Sequence, residues 1–194
     1  GISPSLEFLD LRYNELGDEG VTALSDAIQS DQCSGVKTLL LRNCDISDQG
    51  ALEISEFLTR GLYELDLSGN EIGDEGVNAI TQAMIVMGAS CKTKYLDLRE
   101  NNIGDEGAVS LSLAMASTDC LQQLNLSKNE IGNGGCELLA HVLSKKTSLK
   151  RLILHSNQVD EQGALYFLDV LDYYNKDLVY LDLSRNNISK ATRQ

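Results

Sequence analysis

Leucine recurs along the chain in a fixed nine-residue frame, L-x-x-L-x-L-x-x-N. Seven copies of the frame begin at Leu6, Val36, Leu62, Thr93, Leu121, Leu149 and Leu178, and successive copies are 26 to 31 residues apart. The fourth and sixth positions are leucine in every copy. Alternate side chains of an extended segment share a face, so these leucines point to one side and the third, fifth and seventh positions to the other. Each copy therefore predicts a short strand.

A glycine stands fourteen residues after the start of each of the first six frames: Gly20, Gly50, Gly76, Gly107, Gly135 and Gly163. The residues one, four, seven and eight places beyond each glycine are apolar in all six copies. This spacing is typical of one face of an α-helix. We therefore predict a helix in each unit, with the glycine in its first turn, where a side chain would crowd the adjacent coil.

One such unit cannot bury its leucines alone, whereas seven stacked units form a continuous core. The ninth frame position is asparagine in every copy except the second, which has Cys44. We expect the asparagines to bond backbone groups left unpaired where the chain turns, and to form a ladder along the stack. Cys44 breaks this ladder once, since a thiol is only a weak donor.

The frame and its helical second half resemble the leucine-rich repeat, in particular its ribonuclease-inhibitor-like class, from Leu6 to Ile188. The resemblance implies an α/β right-handed horseshoe solenoid of about seven repeats, with a parallel β-sheet on the concave face and helices on the convex face. We interpret residues 1–194 as one domain. Repeat proteins need polar caps, but few residues precede Leu9, and only Ser189 to Gln194 lie beyond the part of the chain that resembles the repeat. We therefore expect a fragment of a longer protein, or ends that pack on something else.

The chain carries a net charge of −13, which argues against binding to nucleic acid or to an anionic membrane. It has no apolar run long enough for a membrane span, and no signal peptide is visible. Acidic residues such as Asp18, Asp48 and Asp74 fall at predicted helix starts, where we expect them to cap helices. Much of the negative charge is then part of the scaffold.

The five cysteines, Cys33, Cys44, Cys91, Cys120 and Cys136, are odd in number and form no C-x-x-C pair. This pattern favours reduced structural thiols over a zinc site or a disulfide framework. Reduced thiols favour an intracellular, cytoplasmic location.

No motif for catalysis, metal binding or cofactor binding emerges, so we predict neither an enzyme nor a cofactor. Asp66 to Asn70 superficially match a calcium loop, but Glu71 and Val77 stand where that loop needs glycine and a bidentate acid. His141 is predicted on the convex side and His155 on the strand face, so the two cannot share a metal ion.

The outward strand positions vary from copy to copy, unlike the uniform leucines beneath them, as expected if this face carries the binding specificity. The candidate partner-binding residues on the concave face are Phe8, Asp10, Arg12, Leu40, Arg42, Asp66, Tyr95, Asp97, Arg99, Arg151, Ile153, His155, Tyr180 and Asp182. Tyrosine and arginine are favoured at binding hot spots.

Several of these residues have alternative interpretations. Asp66 and Asp97 are adjacent carboxylates, which could raise one pKa or meet a basic residue of a partner. The three arginines at positions 12, 42 and 99 could instead neutralise Asp10 and Asp97 within the sheet. Leu40 and Ile153 are apolar at positions where solvent is expected, which hints at a contact surface.

The sequence thus predicts a protein-interaction module, a monomer that binds another protein through its concave strand face. Two alternatives stay open. One is a GTPase activator of the kind that Ran GTPase-activating proteins represent, since these share the repeat type, as do the sensor regions of nucleotide-binding leucine-rich-repeat receptors. The other is a structural spacer in a cytoskeletal or flagellar assembly.

Overall fold

A short strand alternates with a helix along the whole described chain. The structure, a computed structural model, describes residues 5–29, 35–145 and 147–189. The strands are β1 (Phe8–Asp10), β2 (Thr38–Leu40), β3 (Glu64–Asp66), β4 (Tyr95–Asp97), β5 (Gln123–Asn125), β6 (Arg151–Ile153) and β7 (Tyr180–Asp182). The helices are α1 (Gly17–Gln29), α2 (Asp48–Leu58), α3 (Asp74–Met87), α4 (Asp105–Ser117), α5 (Asn133–Leu143) and α6 (Glu161–Tyr173), and a 3₁₀ turn, Gly88–Ser90, follows α3.

The seven strands form one parallel sheet in chain order, β1 to β7. Their register places the fourth frame position of each copy beside that of the next, so Leu39 pairs with Leu65 and Leu65 with Leu96. The prediction of one strand per frame is confirmed.

The core lies between the sheet and the helices. In the inner repeats both frame leucines are fully buried, as Leu65 and Leu67 illustrate at 0% exposure. The apolar helix positions face them, and Phe167 of α6 is among the largest fully buried side chains. At the two ends of the sheet, Leu9 and Leu181 are only partly buried and pack against this core.

Successive helices pack on one another, as successive strands do. Packed helices lie about 8–10 Å apart, whereas neighbouring strands lie about 4.8 Å apart. A stack with the wider spacing on one side must bend towards the narrower side. The sheet therefore forms the concave wall, as the repeat predicted.

The asparagine at the ninth frame position joins each repeat to the one before it. Asn70 Oδ1 accepts hydrogen bonds from the backbone N–H groups of Cys44 and Ile46, at 3.0 and 3.1 Å. Its Nδ2 donates to the carbonyl oxygens of Leu41 and Leu67, both at 2.9 Å. This bonding confirms the predicted ladder.

Cys44 occupies the one position where the ladder lacks asparagine, and its thiol takes over only the donor half. Cys44 Sγ donates to the carbonyl oxygen of Leu11 at 3.2 Å. The N–H of Leu16, which stands where Ile46 stands in the next repeat, instead donates to the carbonyl oxygen of Asn14 at 2.9 Å. In the first repeat, this N–H therefore finds its acceptor in its own coil and not in the side chain of the next repeat.

Several aspartates at helix starts cap the next helix in the stack, whereas Asp160 caps its own helix, α6, by accepting from the N–H of Gln162 at 2.8 Å. Asp48, the first residue of α2, accepts from the N–H groups of Gly73 and Gly76 at the start of α3, at 2.6 and 2.9 Å. Asp74 of α3 likewise accepts from Gly104 and Gly107 at the start of α4, at 2.7 and 2.9 Å. The expectation of helix capping is thus confirmed, with the correction that Asp48 and Asp74 cap the helix of the next repeat. These carboxylates bond successive repeats together, and their charge faces the positive end of the next helix.

The helix-start glycines make room for this contact. A Cβ atom on Gly76 would lie 2.6 Å from Asp48 Oδ1 and 2.8 Å from Ile72 Cγ2, both far below van der Waals contact. The prediction that a side chain there would crowd the adjacent coil is confirmed. The crowding group is the carboxylate that caps the helix.

Candidate protein-binding face

Carboxylates and one amide line the middle of the concave face at the fifth frame position. Each uses one oxygen to accept from the backbone N–H two residues further on: Asp66 from Ser68 at 2.9 Å, and Asp97 from Arg99 at 3.1 Å. Asn125 does the same for Ser127, at 3.1 Å. Half of each side chain therefore holds the turn after the strand. The other halves of Asp97 and Asn125 bond to each other at 3.2 Å, which leaves the second oxygen of Asp66 for recognition.

Asp66 and Asp97 lie side by side in the register of β3 and β4. Together with Glu64, Tyr95 and Gln123 they line a cavity of about 100 Å³. Among the described residues, nothing donates a hydrogen bond to Asp66 Oδ2. The centre of the concave face is therefore a small acidic cleft with an unused acceptor, which we call the acidic cleft.

Burial raises the pKa of the Asp97 carboxyl above its ordinary value of 3.8, and the negative charge of Asp66 adds to the rise. The N–H and the guanidinium of Arg99, and the Nδ2 of Asn125 at 3.2 Å, act in the opposite direction without cancelling the rise. The expectation that adjacent carboxylates raise one pKa is confirmed, with burial as the larger cause. An incoming cation would stabilise the charge at this site.

The three arginines differ in how far the sheet neutralises them. Arg12 makes a two-point contact with Asp10, at 2.9 Å from Nε and 2.7 Å from Nη2, and this contact lowers the pKa of Asp10. Arg99 Nε lies 3.6 Å from Asp97 Oδ2. Arg42 pairs with neither acid: its guanidinium lies 5.5 Å from the centre of the Tyr13 ring. Intramolecular pairing is thus confirmed for two of the three.

The aromatic residues of the concave face lie on its two edge strands and beside the acidic cleft. Phe8 on β1 is 56% exposed and Tyr180 on β7 is 40% exposed. The guanidinium of Arg151 lies over the Tyr180 ring, 4.2 Å from its centre. Tyr95 packs edge-on against Tyr63, with ring centres 5.5 Å apart. These contacts fix the orientation of ring surfaces that remain open to solvent.

The two apolar residues predicted on the concave face differ in their exposure to solvent. Leu40 was expected to face solvent but is only 8% exposed, so that expectation is wrong. It stands in register between Asp10 on β1 and Asp66 on β3, and a position flanked by strands on both sides leaves an aliphatic side chain little open surface. Ile153 is half-buried and keeps some exposure.

The remaining predicted residues lie towards the last strands. His155 is half-buried, and its Nδ1 lies 2.8 Å from the hydroxyl of Ser184. Asp182 accepts from the N–H of Ser184 at 2.9 Å. His141 is exposed on α5, on the helix side, as predicted. Within the described ranges, no group of three or more histidine, cysteine or acidic side chains could hold a metal ion.

A second groove, which no sequence pattern predicted, lies on the convex side. It runs between α2 and α3, has a volume of about 750 Å³, and is lined by residues that include Leu52, Gln82 and Val86. Leu52 is 50% and Val86 80% exposed. This groove is the alternative surface against which the concave face has to be tested.

A contact between Cys91 and Cys120 was also missed. Their sulfur atoms lie 2.7 Å apart, and all four cysteines in the described part of the chain are buried and free. The two residues are 29 positions apart, which is one repeat length. That spacing is the signal that could have found the contact, because residues one repeat apart lie side by side in a solenoid.

The parallel sheet, the helix in each unit and the asparagine ladder define a leucine-rich-repeat solenoid. A family model described as "Leucine Rich repeat" matches residues 3–25, 32–55, 62–80, 90–112, 120–140 and 174–191. These segments cover more than half of the chain, which therefore belongs to the leucine-rich-repeat family. The repeat that contains β6 lies between the matched segments, yet it has the same strand and helix.

The curated relatives are of the ribonuclease-inhibitor-like class. The chain is 33% identical to pig (Sus scrofa) ribonuclease inhibitor over 56% of its length and 24% of that protein. It is 40% identical to human NACHT, LRR and PYD domains-containing protein 5 over 42% of its length and 7% of that protein. The chain thus spans about a quarter or less of these relatives.

Among solved structures, an internalin (inlF) from Listeria monocytogenes aligns with a TM-score of 0.48 and 20% identity, over 95% of this chain and 56% of that one. Leucine-rich repeats commonly mediate protein–protein interaction. In the described ranges, none of the helices combines the length and the apolar character that crossing a membrane requires.

Proposed function

We propose that this chain binds another protein through its concave face and that the acidic cleft receives a basic side chain of the partner. The observation that carries the proposal is the pair Asp66 and Asp97, in register on neighbouring strands beside an open cavity of about 100 Å³. A lysine or arginine side chain that enters the cleft would reach the unused Asp66 oxygen. It would also offset the burial of the Asp97 charge.

The surroundings of the cleft support this role. Tyr95 on one wall is oriented by Tyr63 and presents a ring next to the two acids. An aromatic ring beside carboxylates suits the aliphatic stem and charged head of a long basic side chain. The net charge of −13 would in addition steer a basic partner towards the chain.

The wider footprint includes the residues predicted around the cleft. Phe8 and Tyr180 would serve as aromatic contacts at the two ends of the face, and Arg42 would contribute a guanidinium that lies over Tyr13 and makes no salt bridge within the described ranges. Leu40 drops out of the footprint because it is buried. We place the module in an intracellular compartment, which the four free buried thiols support. GTPase activation and a spacer role stay untested hypotheses.

The test is capture of partners with a charge-neutral variant that keeps the fold. Asn125 shows that an amide supports the turn at this frame position, so Asp66→Asn with Asp97→Asn removes two charges and retains both backbone contacts. The variant and the unaltered chain are immobilised, and the captured proteins are compared by quantitative mass spectrometry. We expect at least one partner of the unaltered chain to be lost or reduced about tenfold or more, since a buried charge pair across an interface contributes about 2 kcal/mol or more.

A variant of the convex groove, Leu52→Ala with Gln82→Ala and Val86→Ala, provides the matched control and should capture the same set as the unaltered chain. Capture that survives the double aspartate change but fails in the convex variant would refute the proposal and place the partner on the helix side.

A further inference from the structure

Cys91 and Cys120 form a dithiol pair between two successive repeats. Cys91 stands two residues before the frame that begins at Thr93, and Cys120 one residue before the frame that begins at Leu121. Each therefore lies where its repeat returns from the helix to the strand. Stacking brings the two sulfur atoms to 2.7 Å from each other, at 8% and 3% exposure of their residues.

The environment differs between the two thiols. The Thr118 hydroxyl lies 3.4 Å from Cys120 Sγ, and Cys120 sits deeper in the core than Cys91. Cys91 directly follows the 3₁₀ turn Gly88–Ser90, where Ala89 and Ser90 are exposed. Cys91 is therefore the thiol that a small reagent reaches first.

The pKa values of the two thiols also shift in opposite directions. The hydrogen bond from the Cys120 thiol lowers the pKa of Cys91, and the charge of Lys94 acts in the same direction. The same hydrogen bond raises the pKa of Cys120, as does its burial. The pair thus combines a more accessible thiol of lowered pKa with a deeper thiol of raised pKa, which is the arrangement of an attacking and a resolving cysteine.

We propose that Cys91 and Cys120 are a reversible oxidation site, which peroxide converts into a disulfide that joins the third and fourth repeats. The Cys91 thiolate attacks one oxygen of hydrogen peroxide, the O–O bond breaks, and Cys91 sulfenic acid forms as hydroxide leaves and takes up a proton. The Cys120 sulfur then attacks the Cys91 sulfur, the S–O bond breaks, and a second water leaves with the Cys120 proton. Two thiols lose two electrons in total, and one peroxide becomes two waters.

The other described cysteines lack these features. Cys136 has no thiol neighbour in the described part of the chain, and burial raises its pKa to about 12. Cys44 donates its proton to the ladder carbonyl of Leu11, and burial raises its pKa. Both should resist oxidation under conditions that oxidise Cys91.

Peptide mapping of the whole chain tests the site directly. The chain is treated with hydrogen peroxide, remaining thiols are alkylated, and the unreduced protein is cleaved with trypsin. Peptides 61–92 and 100–128 each contain one cysteine, Cys91 and Cys120. We expect them to appear as one linked species, two hydrogens lighter than their sum, and to separate again after dithiothreitol.

Stability gives the second readout. A bridge that closes a loop of this length should raise the thermal midpoint of the oxidised chain by roughly 5–10 °C over the reduced chain. The rise should vanish in Cys91→Ser and in Cys120→Ser, and it should persist in the control Cys136→Ser.

Two results would overturn the proposal. One is that peroxide leaves peptides 61–92 and 100–128 unlinked, or links either of them to Cys33 instead. The other is a thermal shift that persists in Cys91→Ser. The peptide map uses the unaltered chain, so it tests the proposal even if one of the variants fails to fold.

Discussion

Asn101 offers a perturbation whose cost can be worked out bond by bond. Its Oδ1 accepts from the N–H of Ile72 at 3.0 Å, and its Nδ2 donates to the carbonyl oxygens of Leu67, Leu98 and Arg99 at 3.0, 3.1 and 3.2 Å. Each carbonyl has another donor at 2.9 Å: Asn70 for Leu67, Asn129 for Leu98 and the N–H of Gly69 for Arg99. Within the described residues, only the Ile72 N–H therefore loses its sole partner when the side chain is removed.

These hydrogen bonds predict a series of Asn101 variants with graded losses of stability. Asn101→Ala leaves one buried donor unpaired, at about 1–3 kcal/mol, and removes one of the donors to each of three carbonyl oxygens, so it should cost about 2–4 kcal/mol in total. Asn101→Cys reproduces the chain's own ladder break at Cys44, where the thiol keeps the donor half, and should cost less than alanine. Asn101→Asp turns a carboxylate oxygen towards the same carbonyls and should cost the most.

The assay is urea unfolding followed by circular dichroism. With a slope of about 2–3 kcal/mol per molar for a chain of this size, Asn101→Ala should lower the midpoint by about 1–2 M. The order of stability should be asparagine, cysteine, alanine, aspartate. An aspartate variant as stable as the cysteine variant would refute the ladder as the reason for asparagine at this position.

Three further predictions concern the repeats next to the ladder. Asp74→Ala should lower the free energy of unfolding by about 1–3 kcal/mol in the same urea assay, because two backbone N–H groups at the start of α4 lose their acceptor. Asp74→Asn keeps the acceptor and should cost less than about 1 kcal/mol. Equal losses in the two variants would contradict the capping role. Gly107→Ala should cost about 1–3 kcal/mol, since its Cβ would lie 2.6 Å from Asp74 Oδ1, and a neutral result would show that the coil can shift. The raised pKa of Asp97 means that the folded chain holds this proton more tightly than the unfolded chain, so stability should fall as pH rises from the ordinary value of 3.8 through the raised value. Urea midpoints at several pH values should show this fall in the unaltered chain and a flatter profile in Asp97→Asn, and parallel profiles would contradict the pKa shift.

The repeat frame was enough to predict the strands, their parallel order and the core, because every copy repeats the same constraint. A leucine that recurs at the fourth and sixth positions has no other face to occupy once the units stack. The asparagine ladder followed from the same reasoning, since a side chain with both a donor and an acceptor stands where the backbone leaves the strand.

What the sequence did not reveal lies between repeats. Asp48 looks like an ordinary cap of α2 until the stack places it against α3, and Cys91 looks isolated until the next coil brings Cys120 beside it. Leu40 looks exposed because alternation along one strand says nothing about the side chains on the strands next to it. Each error has the same physical origin: the neighbours of a residue in a solenoid are about one repeat away in sequence.

Hydroxyl-radical footprinting of the chain with a captured partner bound shows whether the concave face receives that partner. We expect Tyr95 and Tyr180 on the strands to become protected, while Leu52 and Val86 on the helix side are labelled as in the free chain. Protection of the helix side with unchanged labelling of Tyr95 and Tyr180 would contradict this expectation.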